Sequence, residues 1–201
     1  MQLSNYFFDK TLKADDCLDI KGSLKDWQEN IAKYAYGNDL MSFCLFMPFG
    51  SCWYKPLAEQ PLIFHIYGES RKGKTILLNL AGGVLGFTGN MGYANWNSTL
   101  VALENLAAIK NDNLLILDEL GFKQLPKYST DDFFNVISKR YETKSTIITT
   151  NKIIDQWNDI FDEQVLTRAI VDRIMHHASI ISINGKSFRM KTKNQNKKEA
   201  T

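Results

Sequence analysis

With 201 residues, 44% hydrophobic and 23% charged, the chain has the size and composition of one globular domain with a sizeable core. Its three cysteines, Cys17, Cys44 and Cys52, form no CxxC pair and have no histidine at ligand spacing, which argues against a zinc ribbon or a disulfide scaffold. Net charge is only +2, but from Lys186 to Thr201 six basic residues face the single acid Glu199, so this tail carries +5 and the rest −3. Such a tail is either a solvated end or a contact for phosphate backbone.

The opening "MQLSNYFFDK" has no basic stretch ahead of an apolar run, and "LMSFCLFMPFGSCWY" is broken by Pro48 and Gly50 and too short to cross a bilayer. The expectation is a cytoplasmic chain without membrane contact. "SLKDWQENIAKYAYG" predicts a helix capped by Ser23, with Trp27, Ile31 and Tyr34 at helical spacing and a stop at Gly37. A second, buried helix is expected over Leu40 to Met47, ending in a turn.

After Pro61, "PLIFHIYG" reads as a buried strand and "KTILLNLAGGVLG" as the helix that follows it. "NSTLVALENLAAI" predicts a helix capped by Asn97 or Ser98, "NLLILDE" a strand, and "STDDFFNVISKRYETK" an amphipathic helix with acids in its first turn. "STIITTN" is a third buried strand, "EQVLTRAIVDRIMHHA" a helix and "SIISING" a last strand. Apolar strands alternating with helices imply an α/β fold: a parallel sheet covered on both faces, a three-layer sandwich. The expected division is a short helical N-terminal segment at 1–60, the α/β domain at 61–185, and a basic strand end and tail at 186–201.

Between the first strand and its helix, Gly68-Glu69-Ser70-Arg71-Lys72-Gly73-Lys74-Thr75 fits the P-loop pattern in full. Glycines let backbone N–H groups turn toward an anion, and the helix that follows presents its positive N-terminal end, so the candidate binding residues run from Gly68 through Ile76. Lys74 is the candidate for the β- and γ-phosphates of ATP, and Thr75 offers a hydroxyl to Mg²⁺. Arg71 and Lys72 add two cations that either assist phosphate binding or point to solvent.

"NLLILDE" places Asp118 and Glu119 at the carboxyl end of a strand, the sheet edge where α/β proteins bind ligands. Asp118 suits a Mg²⁺ contact, and Glu119 suits polarising an attacking water. A kinase acting on a small hydroxyl has no need of the second acid, so the pair points to hydrolysis.

The stretches "LLILDELGFKQLP", "FFNVISKRYETKSTIITTNKIIDQWNDIF" and "LTRAIVDRIMHHASIISINGKSFRMK" together resemble the IstB/DnaC-like AAA+ ATPases, over about residues 113 to 193. The resemblance implies a P-loop NTPase of AAA+ type that hydrolyses ATP, assembles with copies of itself, binds double-stranded DNA and serves a transposase or a replicative helicase. By position, Asn151 resembles sensor 1, Arg173 an arginine finger supplied to a neighbour's ATP, and Arg189 a sensor-2 arginine. Arg168, five residues before Arg173, points about 140° away on a helix and competes for the finger role. A salt bridge within the domain is the plain alternative for Arg173. His176 and His177, adjacent in sequence, are expected to face different ways, so no metal site follows.

Residues about 40 to 121 instead resemble an uncharacterised P-loop family of phage and mobile elements, through "FHIYGESRKGKT" and the pattern Trp96-Asn97-x-Thr99 with Leu103-Glu104. The two resemblances meet at "LDELG". Besides the DNA-associated ATPase, three readings stay open: a translocating helicase, a nucleotide-binding module without turnover, and a small-molecule kinase.

Overall fold

The structure, a computed structural model, describes residues 22–87, 94–95, 100–110, 114–121 and 129–184. Five parallel strands form one sheet: β1 (Ile63–Tyr67), β2 (Ala94–Asn95), β3 (Leu115–Leu120), β4 (Thr146–Thr150) and β5 (Ala178–Ser182), in the order β2-β3-β4-β1-β5. The two-residue β2 falls in "GYANWN", where no apolar run announces it.

Period-two alternation sorts the strand residues between two cores. Phe64, Ile66, Ile116 and Ile147 face one way and pack on Cys44 and Met47 of α3 (Asp39–Trp53) and on Leu77, Leu78 and Ala81 of α4 (Lys74–Val84). Ile63, Leu115, Leu117 and Ile148 face the other way, against Leu103 of α5 (Leu100–Ile109), Phe133, Val136 and Ile137 of α6 (Ser129–Arg140), and Ile170 and Ile174 of α7 (Gln164–His176). This is the expected three-layer α/β sandwich. Strand β5 departs from the expectation of a buried sheet: Ser179, Ile180 and Ser182 are exposed, as suits an edge strand that pairs only with β1.

The N-terminal helix is capped by Ser23, whose hydroxyl accepts from Asp26 N while the Asp26 carboxylate accepts from Ser23 N, each at 3.1 Å. It is not uniform, however: α1 (Leu24–Trp27) passes through a π-helical stretch, Gln28–Ala32, into α2 (Lys33–Ala35). The predicted stop at Pro48 and Gly50 is also corrected, because α3 runs on to Trp53. Pro48 removes one helical hydrogen bond, but its carbonyl accepts from Ser51 Oγ at 2.6 Å, and Cys44, Leu45, Met47 and Pro48 are buried. Gly50 lets the helix pass close to Leu62, since a Cβ there would lie 2.9 Å from Leu62 Cδ1 and make that side chain shift. Nor is α3 wholly buried: Phe46, Phe49 and Trp53 are exposed along its far side.

A 3₁₀ helix, Ile154–Asp159, was hidden by its polar composition, and it inserts Trp157 into the core at 1% exposure. The Trp157 ring meets His65 of β1 edge-on, at 5.5 Å between centroids. Neither ring nitrogen of His65, nor Trp157 Nε1, has a hydrogen-bond partner. Burial therefore pushes the His65 pKa down from 6.5 to about 4. Above pH 6.5 the imidazole is neutral folded or unfolded, so its contribution to stability does not change with pH. Between 6.5 and 4 the unfolded chain takes up a proton that the fold refuses, so stability falls with pH, by roughly 3 kcal/mol in all. Denaturant titrations from pH 7.5 to 4 are expected to show this loss in the wild type and a shallower one in His65→Phe; equal slopes would disprove it.

A candidate nucleotide-binding site

The loop between β1 and α4 is anchored at its start by Gly68 N, which donates to Thr150 O at 3.2 Å, and at its end by Gly73. Gly73 has φ +91°, a conformation that glycine adopts freely. As the N-cap of α4 it also brings no side chain to the first turn, so the positive end of an 11-residue helix faces the loop uncapped. Arg71 sits at φ +69°, left-handed backbone that strains any residue with a Cβ. Its side chain is exposed, whereas Lys72 is paired with Glu69 at 3.2 Å. Ser70 and Ile76 lie exposed at either side of the glycine turn.

Lys74 is buried, and its Nζ donates to Gly68 O at 2.6 Å and Glu69 O at 3.0 Å. Its pKa lies below the ordinary lysine value because of burial, an effect opposed by the carboxylates of Asp118 and Glu119. Both acids thus act on the same ammonium group.

Alternation along β3 turns Asp118 to the α4 side, where its carboxylate is 3% exposed. It accepts from Thr75 Oγ1 at 3.0 Å and from Thr149 Oγ1 at 2.5 Å. The Thr149 hydroxyl in turn accepts from Glu119 N at 3.0 Å. At Glu119 the ladder between β3 and β4 slips, and the residue takes φ +59°. Unbroken alternation would send Glu119 to the face away from Thr75; the bulge interrupts it there.

The structure therefore brings together Lys74, Thr75, Asp118 and Glu119. Asn151, exposed, follows β4 directly at the same carboxyl edge. Arg173 is elsewhere. With Ile63 and Thr146, the first residues of β1 and β4, it lines a small crevice at the amino edge of the sheet. There its guanidinium lies 4.7 Å from the Phe134 ring centre and donates to Ala169 O at 3.0 Å, so a cation–π contact stands where the alternative reading had a salt bridge within the domain. Arg168 is exposed on α7. Arg189, Cys17, the basic tail and the cap at Asn97 or Ser98 lie outside the described residues.

Sequence reasoning missed Thr149. Its signal was present: in "TIITT", Ile147 and Thr149 fall on the α4 face, and parallel register sets Thr149 beside Asp118.

The uncapped helix end, buried lysine and threonine–aspartate pair form a set of hard oxygen donors and anion-binding groups that fits a nucleotide with Mg²⁺. With β4 inserted between the loop strand and the acid-bearing strand, fold and site define a P-loop protein of the AAA+ class. Residues 87–196 match the IstB-like ATP binding protein family, and the chain belongs to it. The match begins after the phosphate loop. Relatives include the ATP-binding proteins of insertion sequence IS232 from Bacillus thuringiensis subsp. berliner (44% identical over 78 residues, 39% of this chain and 31% of that protein) and of IS21 from Pseudomonas aeruginosa (40% over 80 residues, 40% and 30%). The chain thus spans about a third of the length of the curated relatives it matches. A solved DnaC helicase loader superposes with a TM-score of 0.54 over 81% of this chain and 100% of that one, at 18% identity, which is a likeness of fold.

If Thr149 holds Asp118 in place, Thr149→Val should cost roughly 1–3 kcal/mol in a urea titration, because it leaves a buried carboxylate and an amide each short of a partner. An unchanged midpoint would rule that out.

Proposed function

We propose that the chain binds and hydrolyses ATP with Mg²⁺, in an assembly of identical subunits on double-stranded DNA that assists a transposase or loads a replicative helicase. The observation that carries this reading is the Asp118 carboxylate, joined by hydrogen bonds to Thr75 and Thr149 and set beside Lys74. In this reading Mg²⁺, when bound, neutralises phosphate charge, and Thr75 and Asp118 are the residues that hold it. Lys74 exchanges its two loop carbonyls for phosphate oxygens. The loop from Gly68 through Glu69, Ser70, Arg71, Lys72 and Gly73 to Ile76 supplies the remaining phosphate contacts, and Arg189 is a further candidate.

Glu119 takes a proton from, or orients, the attacking water, and Asn151 orients the same water from the neighbouring strand end. Arg173 lies a full strand length from its own phosphate loop, so it acts, if at all, on the site of another subunit. The basic tail and duplex DNA are complementary in charge, and each phosphate neutralised adds about −0.9 to the log–log salt slope of binding. The family membership and the insertion-sequence relatives support transposition over general replication.

ATPase rate measured against protein concentration, with and without duplex DNA, tests these elements together. The rate per subunit is expected to rise with concentration and DNA. Glu119→Gln should bind ATP and turn over at least about 10²-fold more slowly. Arg173→Ala should lose about 10³ or more while retaining ATP binding. A rate per subunit independent of concentration, and unaltered in Arg173→Ala, would remove the trans arginine. Background turnover in the wild type would leave only a nucleotide-binding module.

A further inference from the structure

Far from the phosphate loop, the ends of two helices meet. Helix α6 stops at Arg140 and the chain turns through Tyr141 and Glu142; α7 stops at His176, with His177 as its C-cap. Because His177 has left the helical conformation (φ −125°, ψ 12°), the two imidazoles do not splay apart as neighbours on a helix would. Their ring centres lie 4.0 Å apart, which corrects the expectation that they face different ways.

Both rings converge on one carboxylate. Glu142 Oε1 lies 3.1 Å from His177 Nε2 and 3.9 Å from His176 Nδ1. Tyr141 Oη is 2.6 Å from the same His176 nitrogen. One donor atom from each of Glu142, His176 and His177 falls within 4.8 Å of the others. Glu142 reaches this position at φ +55°, a backbone state uncommon for a residue with a side chain. Its carboxyl is held below the usual carboxylate range, first by the hydrogen bond from His177 and then by that from Tyr141. The C-terminal ends of two helices, 12 and 13 residues long, also direct their negative poles here, which favours a cation.

We infer that Glu142, His176 and His177 form a binding site for a divalent first-row transition ion of the zinc class, which clamps the end of α7 to the turn after α6. Two imidazoles and one carboxylate are a donor set suited to zinc, and they leave a fourth position for water or for Tyr141. Donors around tetrahedral zinc stand about 3.3 Å apart, so these three side chains need to close by only on the order of an ångström. The site lies one helical turn beyond Arg173 on α7. An ion there would limit how far that end of α7 can move from α6, without touching the phosphate loop.

The test is direct titration of the nucleotide-free chain, carrying Cys17→Ser and Cys52→Ser to remove other soft ligands, with Zn²⁺ and then with Co²⁺. Expected are one ion per chain, visible Co²⁺ absorption of tetrahedral intensity, and hyperfine-shifted imidazole N–H protons from two histidines. Zinc at a hundredfold excess over its Kd should raise Tm by about 5–10 °C. Glu142→Gln and His177→Gln should each weaken binding by tenfold or more, and His176→Gln with His177→Gln should abolish the Tm rise. Glu142 and His176 are exposed and His177 is half-buried, so Tm measured without zinc shows whether each variant folds. No binding at 100-fold excess of zinc over protein, binding without the imidazole signals, or binding unaltered in these variants would each overturn the inference.

Discussion

One buried carboxylate organises the nucleotide end of the molecule. Asp118 receives a hydroxyl from Thr75 at the start of α4 and another from Thr149 in β4, so three elements distant in sequence are fastened at a single point. A charge at 3% exposure is tolerated only with such partners, or with a nearby cation, and Lys74 supplies the latter. Loop, acid strand and neighbouring strand are therefore tied together through this one side chain.

The same point explains why Glu119 can differ so much from its neighbour. A regular strand would put consecutive acids on opposite faces. The bulge breaks the ladder at Glu119, and the Thr149 hydroxyl takes up the amide that the broken ladder would otherwise strand. The left-handed backbone at Glu119, at the edge of the site, is strain retained next to the proposed chemistry.

Much of this was legible in the residues. The strand cores are runs of apolar and β-branched side chains bounded by glycine, proline and acids, and their order fixes a parallel sheet. The phosphate loop and acid pair are short patterns whose spacing already encodes the contact. What escaped depended on partners remote in sequence. Pro48 reads as a helix stop until the burial of α3 against α4 outweighs its local cost. Trp157 sits in a polar stretch and is explained only by the pocket beside His65. Thr149 looks like one more β-branched residue until register places it at Asp118, and His177 looks helical until the helix ends one residue earlier. Arg173 needed a partner on an apolar arc, and an aromatic face supplied it.

The distance between Arg173 and the phosphate loop gives the domain a polarity. In the proposed assembly one pole receives a guanidinium and the opposite pole donates it, as a head-to-tail contact between subunits would allow. If Arg173 does act on a neighbour's site through such a contact, the contact repeats, either closing into a ring or climbing as an open spiral. In an open spiral of this kind the terminal subunit always lacks a donor, so growth and turnover would be governed from one end.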